Sequence, residues 1–565
     1  MRKTLCVLLL ILLTGIAQLL KAQVNFSGND VLKITYTMSF NGKSEENINK
    51  ILVFADAAQT LVTAEHDFAG KSKYPFEMSV IDRNKNSVEL YAFLNDSTSI
   101  TSEDTSSLRK QKFEQFEQTG ETKTILGYLC HKAVTKVNSN TIELWHTTDS
   151  EIKAAPTSLG QNLGLVLETV RNGNYVIRAE KIENMKFVPP DYFNRMKPQQ
   201  LDLLSYKDEI WKSRFMTIPV FKDQILNFSD STYNNEDVMQ FANGTVAVKK
   251  IKFPKLDSTC QIFLDLSEQS NGDAYDRTGT VFLIPADKKK SFLDGLLDGV
   301  RILPQYTNGN GKIYNGVTAT EEYDPPVELM RFITPFGVKH FNHITLKGKT
   351  WEEAVFYRQD ISEFFTDLSS KEVYIGVFIG NYDKGGHKVN ANITIHEGDG
   401  NYSSQKVMPL FNSLNIMEMA GQEAGTMFDS EKGLLVKFQL KTKLKNARLR
   451  YITTGHGGWG NGDEFLPKPN TILLNGKIIF NITPWREDCG SYRLSNPASG
   501  NFENGLSSSD YSRSNWCPGT ISNPYIIETG DLEAGDYILQ VKIPQGKPEG
   551  NSFSAWNVSG VLLGE

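Results

Sequence analysis

Apolar and polar residues alternate along many short segments of this chain, and this pattern constrains the fold more than any other feature. From Leu32 to Phe40 every second residue is apolar or aromatic, which is the spacing of a strand with one buried face. The alternation returns from Tyr537 to Ile543. Turn residues separate further β-rich runs, and Asn475-Gly476 is a two-residue hairpin signal. Because helical patterns are scarce, the sequence predicts an all-β protein of sandwiches or barrels.

The length of 565 residues predicts several domains rather than one. A β-rich block covers residues 23–187, and a proline-containing connector with a mixed apolar and charged texture covers 188–222. Two further β-rich blocks follow over 223–398 and 399–565. Each β-rich block is long enough to bury its own hydrophobic core.

Residues 1–22 have the features of a secretory signal peptide. Arg2 and Lys3 precede an apolar run from Leu5 to Leu20, which is shorter than the roughly 20 residues that span a bilayer. We therefore expect cleavage after Ala22 and a mature protein without a membrane span. The expected location is the periplasm, the cell surface or the medium.

The composition excludes several classes of protein. The 60 Lys and Arg residues are outnumbered by 66 Asp and Glu residues, and no basic block is present, which argues against a nucleic-acid partner. A content of 39% apolar and 11% aromatic residues is too high for a disordered chain. The sequence lacks a zinc-protease motif, a nucleophile elbow and a close cysteine pair. We expect a monomer with no metal and no organic cofactor.

Four cysteines follow the predicted signal peptide, which is an even number in a compartment that permits disulfides. Cys489 and Cys517 both lie in loop sequence rich in Gly, Ser and Asn, and we predict that they are paired. Cys130 and Cys260 lie in or beside strand-like segments, so we expect them to be buried free thiols.

Two acidic loops carry the residue types of a functional site. They are Asn271–Arg277, directly before a predicted strand, and Gly455–Glu464, between two predicted strands. Carboxylates beside Tyr, Trp, His and Arg favour a sugar-handling site, because aromatic faces stack on sugar rings while acids bind hydroxyls or move protons. Tight turns or calcium binding would explain the same Gly, Asn and Asp content.

Four motifs follow one another along the second half of the chain. They are Tyr275-Asp276-Arg277 before a strand, Arg331-Phe332-Ile333-Thr334-Pro335, the Gly-rich loop ending in Glu464, and Arg513 to Gly519. This ordered set resembles the peptide-N-glycosidase F family. The resemblance covers about residues 223–565 and implies two adjacent jelly-roll β-sandwiches that form one catalytic unit and hydrolyse the amide joining an N-glycan to asparagine.

The resemblance implies three catalytic residues, Asp276, Glu464 and Arg513, and agrees with the pairing of Cys489 with Cys517. Asp276 is the expected base that takes a proton from water. Arg513 or nearby backbone N–H groups would stabilise the oxyanion, and Glu464 would hold the first GlcNAc or a bridging water. For Arg513, a salt bridge within its own loop is the alternative.

The remaining residues of these loops are expected to bind substrate. Gly380 and Tyr382 stand where the family has an acid and a tryptophan in its glycan cleft. The small Gly380 predicts room for a branch on the first GlcNAc, such as a core α1,3-fucose. Trp516 could instead be a core residue packed on the disulfide. The expected substrate-binding residues are Tyr275, Arg277, Gly380, Tyr382, His456, Trp459, Asp463 and Trp516.

The sequence therefore predicts a peptide-N4-(N-acetyl-β-glucosaminyl)asparagine amidase that acts on N-linked glycoproteins or glycopeptides and releases the intact glycan. The β-rich block 23–187 is expected to be accessory. Two other classes stay open. A glycoside hydrolase could use Asp276 and Glu464 as its two carboxylates, and a non-catalytic glycan-binding protein could use the same aromatic loops.

Overall fold

A computed structural model describes residues 26, 30–44, 49–105, 116–194, 197–230, 234, 237–457, 462–501, 508–548 and 553–565. The predicted signal peptide, 1–22, and Trp459 lie outside these residues. The chain divides into two compact units, Met1–Arg214 and Phe215–Glu565, so the boundary falls inside the segment predicted as a connector. In the described part of the chain, no helix has the length and apolar character needed to cross a membrane.

The first unit is built on one twelve-stranded sheet. Its strands are β1 (Asp30–Phe40), β2 (Ile51–Ala55), β3 (Gln59–Ala64), β4 (Phe76–Asp82), β5 (Ser87–Phe93), β6 (Ser99–Glu103), β7 (Glu117–Ile125), β8 (Tyr128–Val137), β9 (Asn140–Thr147), β10 (Leu165–Arg171), β11 (Tyr175–Lys186) and β12 (Gln199–Gln200). The spatial order is β12-β6-β5-β4-β3-β2-β1-β11-β10-β9-β8-β7. Mostly consecutive strands are neighbours, as expected for short strands joined by turns.

Short helices complete this unit: α1 (Glu65–Phe68), α2 (Asp191–Asn194) and α3 (Leu203–Lys212). Asp202 begins α3, because its carboxylate accepts hydrogen bonds from the backbone N–H groups of Leu204 and Ser205. Tyr206 and Ile210 of α3 pack against buried residues of β5 and β6. The first part of the predicted connector is therefore part of this unit.

The second unit contains two β-sandwiches. The strands of the first sandwich are β13 (Met216–Leu226), β14 (Val238–Phe241), β15 (Val246–Lys252), β16 (Gln261–Ser270), β17 (Thr278–Ile284), β20 (Val327–Ile333), β21 (Val355–Asp360), β22 (Glu372–Ile379), β23 (His387–His396) and β29 (Ile521–Ser522). One of its sheets has the strand order β13-β23-β16-β21, and the other has the order β14-β15-β22-β17-β20-β29. Smaller elements are β18 (Gln305–Tyr306), β19 (Tyr314–Asn315), α4 (Phe292–Asp298) and α5 (Phe365–Leu368). Buried aliphatic and aromatic side chains fill the space between the sheets.

The strands of the second sandwich are β24 (Lys406–Asn412), β25 (Leu434–Leu440), β26 (Leu444–His456), β27 (Asn470–Leu474), β28 (Lys477–Ile482), β30 (Tyr525–Leu532), β31 (Gly535–Lys542) and β32 (Ala555–Gly564). Its two sheets have the strand orders β24-β32-β26-β30 and β25-β31-β27-β28. Asn475 and Gly476 join β27 to β28 with φ angles of 48° and 80°, as a primed hairpin turn requires. The predicted all-β fold with two adjacent jelly-roll sandwiches is confirmed.

Hydrogen bonds from a buried arginine connect the two sandwiches. Arg331 on β20 donates to both carboxylate oxygens of Glu328, at 2.9 and 2.7 Å. Its remaining Nη1 group donates to Thr454 Oγ1 at 3.0 Å and to the Asn557 carbonyl at 2.5 Å, on β26 and β32 of the second sandwich. Because buried charges are stable only when paired and hydrogen-bonded, this contact fixes one sandwich against the other.

The cysteine predictions are also confirmed. Cys489 and Cys517 form a disulfide, and Cys130 and Cys260 are free and buried. Cys517 lies four residues after Arg513, and the Sγ atom of Cys489 is 3.6 Å from the Trp516 carbonyl oxygen. The cross-link therefore closes the loop that carries Arg513.

Replacing both Cys489 and Cys517 with serine is expected to lower the free energy of unfolding by about 3 to 4 kcal/mol, because the cross-link closes a loop with a sequence separation of 28. Urea unfolding of the variant and the parent protein measures this loss. Reducing the disulfide of the parent protein is the control and should produce a similar loss. Identical unfolding midpoints for variant and parent would contradict the prediction.

Candidate active site

Asp276 lies in the loop between β16 and β17, and the carboxylate of Asp273 organises this loop. Asp273 accepts hydrogen bonds from the backbone N–H of Tyr275 at 3.1 Å and from Arg277 Nε and Nη2 at 2.6 and 3.1 Å. On the other side, the Arg277 N–H donates to Thr334 Oγ1 at 2.8 Å. The loop is therefore held on both sides of Asp276 by contacts that do not involve the Asp276 side chain.

The second sandwich contributes Glu464 and Arg513. Glu464 lies in the Gly-rich loop after β26, and its carbonyl accepts a hydrogen bond from the Ser514 N–H at 3.0 Å. Gly455 makes this close approach possible, because a Cβ atom there would lie 2.8 Å from Ser514 Cβ. Arg513 is held through backbone hydrogen bonds in both directions with Arg486.

One guanidinium joins the two predicted catalytic carboxylates. Arg513 Nε donates to Glu464 Oε1 at 3.0 Å, and Arg513 Nη2 lies 3.5 Å from Asp276 Oδ2. The Arg513 side chain is 1% exposed, whereas the Asp276 and Glu464 side chains are 17% and 18% exposed. The structure thus brings together all three residues that the sequence assigned to catalysis.

Burial sets the protonation of both acids. It raises the pKa of Asp276, although the charges of Arg513 and Arg277 oppose the shift. It raises the pKa of Glu464 to about 7, against the opposing charge of Arg513. Within the described residues, Asp276 Oδ2 and Arg513 Nη1 make no hydrogen bond. Both atoms are buried, and an unsatisfied polar atom in a protein interior is uncommon outside functional sites.

Trp516 and His456 form the wall behind Arg513. Trp516 is buried, donates from Nε1 to the Gly455 carbonyl at 2.8 Å, and places its ring 4.4 Å from Arg513 Cζ. This position corresponds to the core alternative rather than to an exposed sugar platform. His456 stacks on Trp516 with ring centroids 5.2 Å apart. Burial, with the charges of Arg331 and Arg513, lowers the pKa of His456 to about 3, so the imidazole is neutral.

Asp463 has a structural role instead of the expected substrate-binding one. Its side chain is fully buried and accepts hydrogen bonds from Trp556 Nε1 at 2.7 Å and from the Gly546 N–H at 3.0 Å. Because both carboxylate oxygens are occupied inside the protein, no lone pair faces a substrate. Asp463 anchors the loop that presents Glu464.

Tyr275 and Tyr382 are the exposed aromatic residues beside Asp276, with 52% and 58% of each residue exposed. The Arg277 guanidinium lies between them, with Cζ 5.6 Å from the Tyr275 ring and 5.7 Å from the Tyr382 ring. The Tyr382 hydroxyl donates to Glu418 Oε1 at 2.7 Å. This arrangement keeps two ring faces available for a sugar or a peptide.

Gly380 follows β22 and lies opposite the start of β17. Its N–H donates to the Thr278 carbonyl at 3.0 Å, which places it within two residues of Asp276 along the neighbouring strand. A Cβ atom at Gly380 would lie 3.2 Å from the Phe378 ring and 3.8 Å from the Thr278 carbonyl oxygen. A side chain there would therefore project beside the catalytic loop after a small shift of Phe378.

Sequence reasoning missed the residues that support the site. Asp273 lies in one of the two acidic loops, but its ion pair with Arg277 has no sequence signal, because a spacing of four residues brings side chains together only on a helix. Glu418, Glu268 and His387 lie in other segments, and no local motif marks them. In the described residues, no group of His, Cys, Asp and Glu side chains forms a metal site.

Three segments of the chain match models of known protein families. Family models match residues 217–395 (peptide-N-glycosidase F, N terminal), 423–563 (peptide-N-glycosidase F, C terminal) and 34–208 (N-glycanase peptide, N-terminal domain). A solved structure of PNGF-II is 53% identical with a TM-score of 0.89, covering 95% of this chain and 98% of that one. A second crystal form gives the same identity and score and covers 99% of its chain.

A more distant solved structure is PNGase F, a glycosylasparaginase from Flavobacterium meningosepticum. It is 17% identical with a TM-score of 0.40, covering 62% of this chain and 96% of that one. The comparison with curated proteins gives no match.

Proposed function

Because the chain belongs to the peptide-N-glycosidase F family, we propose that it hydrolyses the amide between the first GlcNAc of an N-glycan and asparagine. The reaction releases the intact glycan and leaves aspartate in the peptide. The observation that carries the proposal is the shared guanidinium of Arg513, which contacts Asp276 on one sandwich and Glu464 on the other. Two carboxyls whose pKa values are raised by burial, beside one buried cation, are suited to amide hydrolysis.

Asp276 is the general base. An amide carbonyl is a poor electrophile, so the attacking water must lose its proton as the new C–O bond forms. The partly exposed carboxylate of Asp276, with 17% of the side chain accessible, is the acceptor for this proton. When the tetrahedral intermediate collapses, the C–N bond breaks and the departing glycosylamine nitrogen takes the proton back from Asp276.

Arg513 stabilises the negative charge that develops on the amide oxygen. Its Nη1 group is buried and makes no hydrogen bond within the described residues, so it is a preorganised donor. Glu464 keeps Arg513 in place through Nε. Burial raises the pKa of Glu464 to about 7, and a carboxyl in either protonation state can hold the first GlcNAc or a bridging water through a hydrogen bond.

Digestion of a single-site glycopeptide in oxygen-18 water tests this function. The expected product is a peptide in which aspartate replaces the glycosylated asparagine and carries oxygen-18, together with a glycan that retains both core GlcNAc residues. A peptide that keeps one GlcNAc on asparagine would instead show a glycoside hydrolase. An unchanged glycopeptide under conditions where binding is detected would show a glycan-binding protein.

We further propose that the protein accepts glycans with a core α1,3-fucose, because Gly380 leaves space beside the first GlcNAc. Gly380→Glu is expected to reduce release from α1,3-fucosylated glycopeptides by about tenfold or more relative to unfucosylated ones, since the side chain would clash with the branch. Gly380→Ala is the matched control, because it makes the same Cβ contact with Phe378 but does not reach the branch. A parent protein that cannot release α1,3-fucosylated glycans would contradict the proposal.

A further inference from the structure

A buried cluster of charged side chains lies behind the catalytic loop. His387, at the start of β23, places Nδ1 2.7 Å from Glu268 Oε1 on β16. On the opposite side of its ring, Nε2 lies 3.4 Å from Asp273 Oδ2, an ionic contact rather than a well-aligned hydrogen bond. The side chains of His387 and Glu268 have no exposed surface, and that of Asp273 is 2% exposed. The imidazole therefore bridges the sheet and the loop.

The charges in this cluster alternate when His387 is protonated. Glu268 and Asp273 are acids, and His387 and Arg277 are the two bases that lie next to them. A neutral His387 would leave two buried carboxylates facing one guanidinium, which is unfavourable because buried charges require a paired partner. Glu268 would be affected most, since its Oε2 atom has no hydrogen bond within the described residues.

The cluster is connected to Asp276 through the backbone of the loop. Asp273 holds the residues before and after Asp276 by accepting from the Tyr275 N–H and from the Arg277 side chain. Arg277 is fixed in turn by paired hydrogen bonds with Thr334. Within the described residues, Asp276 Oδ2 makes no hydrogen bond and lies 3.5 Å from Arg513 Nη2, so the loop contributes to its position relative to Arg513.

We propose that Glu268 and His387 are positioning residues for the proposed amidase reaction: protonated His387 holds Asp273, and through it the loop, in the geometry that presents Asp276 to the substrate. Loss of the His387 proton removes the only positive charge between Glu268 and Asp273 within the described residues. The loop then loses its charged contact with β16 and β23, and kcat falls because the base is displaced by a small distance.

The electrostatic setting agrees with a protonated His387 at neutral pH. Burial by itself would lower its pKa, but the adjoining carboxylates of Asp273 and Glu268 outweigh burial and raise the pKa to about 9. Although burial also opposes it, contact with His387 and Arg277 holds the pKa of Asp273 well below its usual range.

Other elements packed around His387 add little charge. On β21, the Tyr357 hydroxyl donates to the Ile333 carbonyl, and burial keeps the pKa of Tyr357 well above its usual value, so that it stays neutral. On β13, the residue paired with His387 is the apolar Leu226. The charge pairing in the cluster is therefore intact below the pKa of His387 and is lost as the pH rises through that pKa.

Glu268→Gln tests the proposal, because it keeps a hydrogen-bond acceptor for His387 Nδ1 but removes one of the two charges that raise its pKa. The alkaline limb of the kcat profile is expected to move down by about one pH unit, with KM little changed and with kcat restored at lower pH. Glu268→Asp keeps the charge and should keep the limb near that of the parent. His396→Asn, at the exposed end of the same strand, is the matched control and should leave the profile unchanged.

NMR of protein with carbon-13-labelled histidine rings supplies a second readout. The chain has 8 histidines, and the His387 signal is the one missing in His387→Gln. In the parent protein its titration midpoint should coincide with the alkaline limb of kcat, and in Glu268→Gln both should move together. A midpoint that moves while the limb stays, or a His387 that is neutral at pH 7, would overturn the proposal.

The same measurements separate this proposal from the proposed function. If the parent protein releases no glycan, the amidase assignment fails, yet the coupling between cluster and loop is still measurable. Deuterium uptake by residues 271–277, corrected for the intrinsic pH dependence, should then increase as the pH passes the His387 midpoint. Uptake that does not change across this midpoint would show that the cluster does not hold the loop. If both Glu268 variants fail to fold, the parent titration and uptake alone decide between these outcomes.

Discussion

Asp276→Asn is expected to lower kcat for glycan release by about a thousandfold, because asparagine has nearly the same shape but cannot accept the proton of the attacking water. The fold should be retained. Burial raises the pKa of Asp276, so the ionised carboxylate is disfavoured in the folded state, and a neutral side chain does not add to that penalty. Oδ2 has no hydrogen bond to lose, and Arg513 keeps its contact with Glu464. Kinetics on a fluorescent glycopeptide and a thermal unfolding scan measure the two effects.

Asp463→Asn is the matched control, since it changes a neighbouring buried acid in the same way. For Asp463→Asn we expect the larger effect on stability and the smaller one on kcat. Asparagine keeps one acceptor oxygen and replaces the other with an NH2 donor, so hydrogen bonds to Trp556 or Gly546 are lost and the melting temperature should fall. The protein that remains folded should keep far more kcat than Asp276→Asn does. If Asp276→Asn kept more than about a tenth of the parent kcat, the role of Asp276 as the base would be excluded.

Arg513→Met is expected to cause the second large loss, of about a hundredfold or more in kcat, because it removes the donor for the developing oxyanion. It also leaves two buried carboxyls without their common partner. Arg513 opposes the burial that raises the pKa of Asp276 and of Glu464, so both pKa values should rise further in the variant. Carboxyls with raised pKa values ionise only at higher pH, and the residual activity should therefore have its maximum at a more alkaline pH than in the parent.

The variant should also be less stable, by about 3 to 5 kcal/mol if both acids stayed charged and by less if they become protonated. Arg486→Met is the matched control, because Arg486 pairs with Arg513 only through backbone groups that the substitution keeps, and its own side chain contacts Asp488. The measurements are pH profiles of kcat and urea unfolding. An unchanged pH optimum in Arg513→Met would show that Arg513 does not control the two acids.

Much of the fold could be predicted from local sequence. The alternation from Leu32 to Phe40 corresponds to β1, and the alternation from Tyr537 onward lies in β31, because a strand with one buried face must place every second side chain in the core. The turn at Asn475-Gly476 is also local, since its positive φ angles suit these two residues. Domain boundaries are less local. β13 begins at Met216, within the predicted connector, because it pairs with Ile395 far along the chain.

The candidate site shows the same division between local and long-range information. The resemblance of four ordered motifs to the peptide-N-glycosidase F family is what pointed to Asp276, Glu464 and Arg513. The sequence could not show that Asp463 is buried and hydrogen-bonded to Trp556, or that Trp516 is buried and hydrogen-bonded to the Gly455 carbonyl. Acids and aromatics occur in both roles, and only the surrounding atoms distinguish them.

The three proposed catalytic residues rest on the resemblance of four ordered motifs to a known family. By itself, the sequence determined the alternating strands, the hairpin turn and the disulfide pair. These features depend on residue type and on neighbours along the chain. Only the tertiary structure decided that one guanidinium connects acids from two sandwiches, and that Glu268 and His387 lie behind the catalytic loop. The physical reason is that burial and charge pairing depend on which distant strands pack together, and no local pattern of residues encodes that packing.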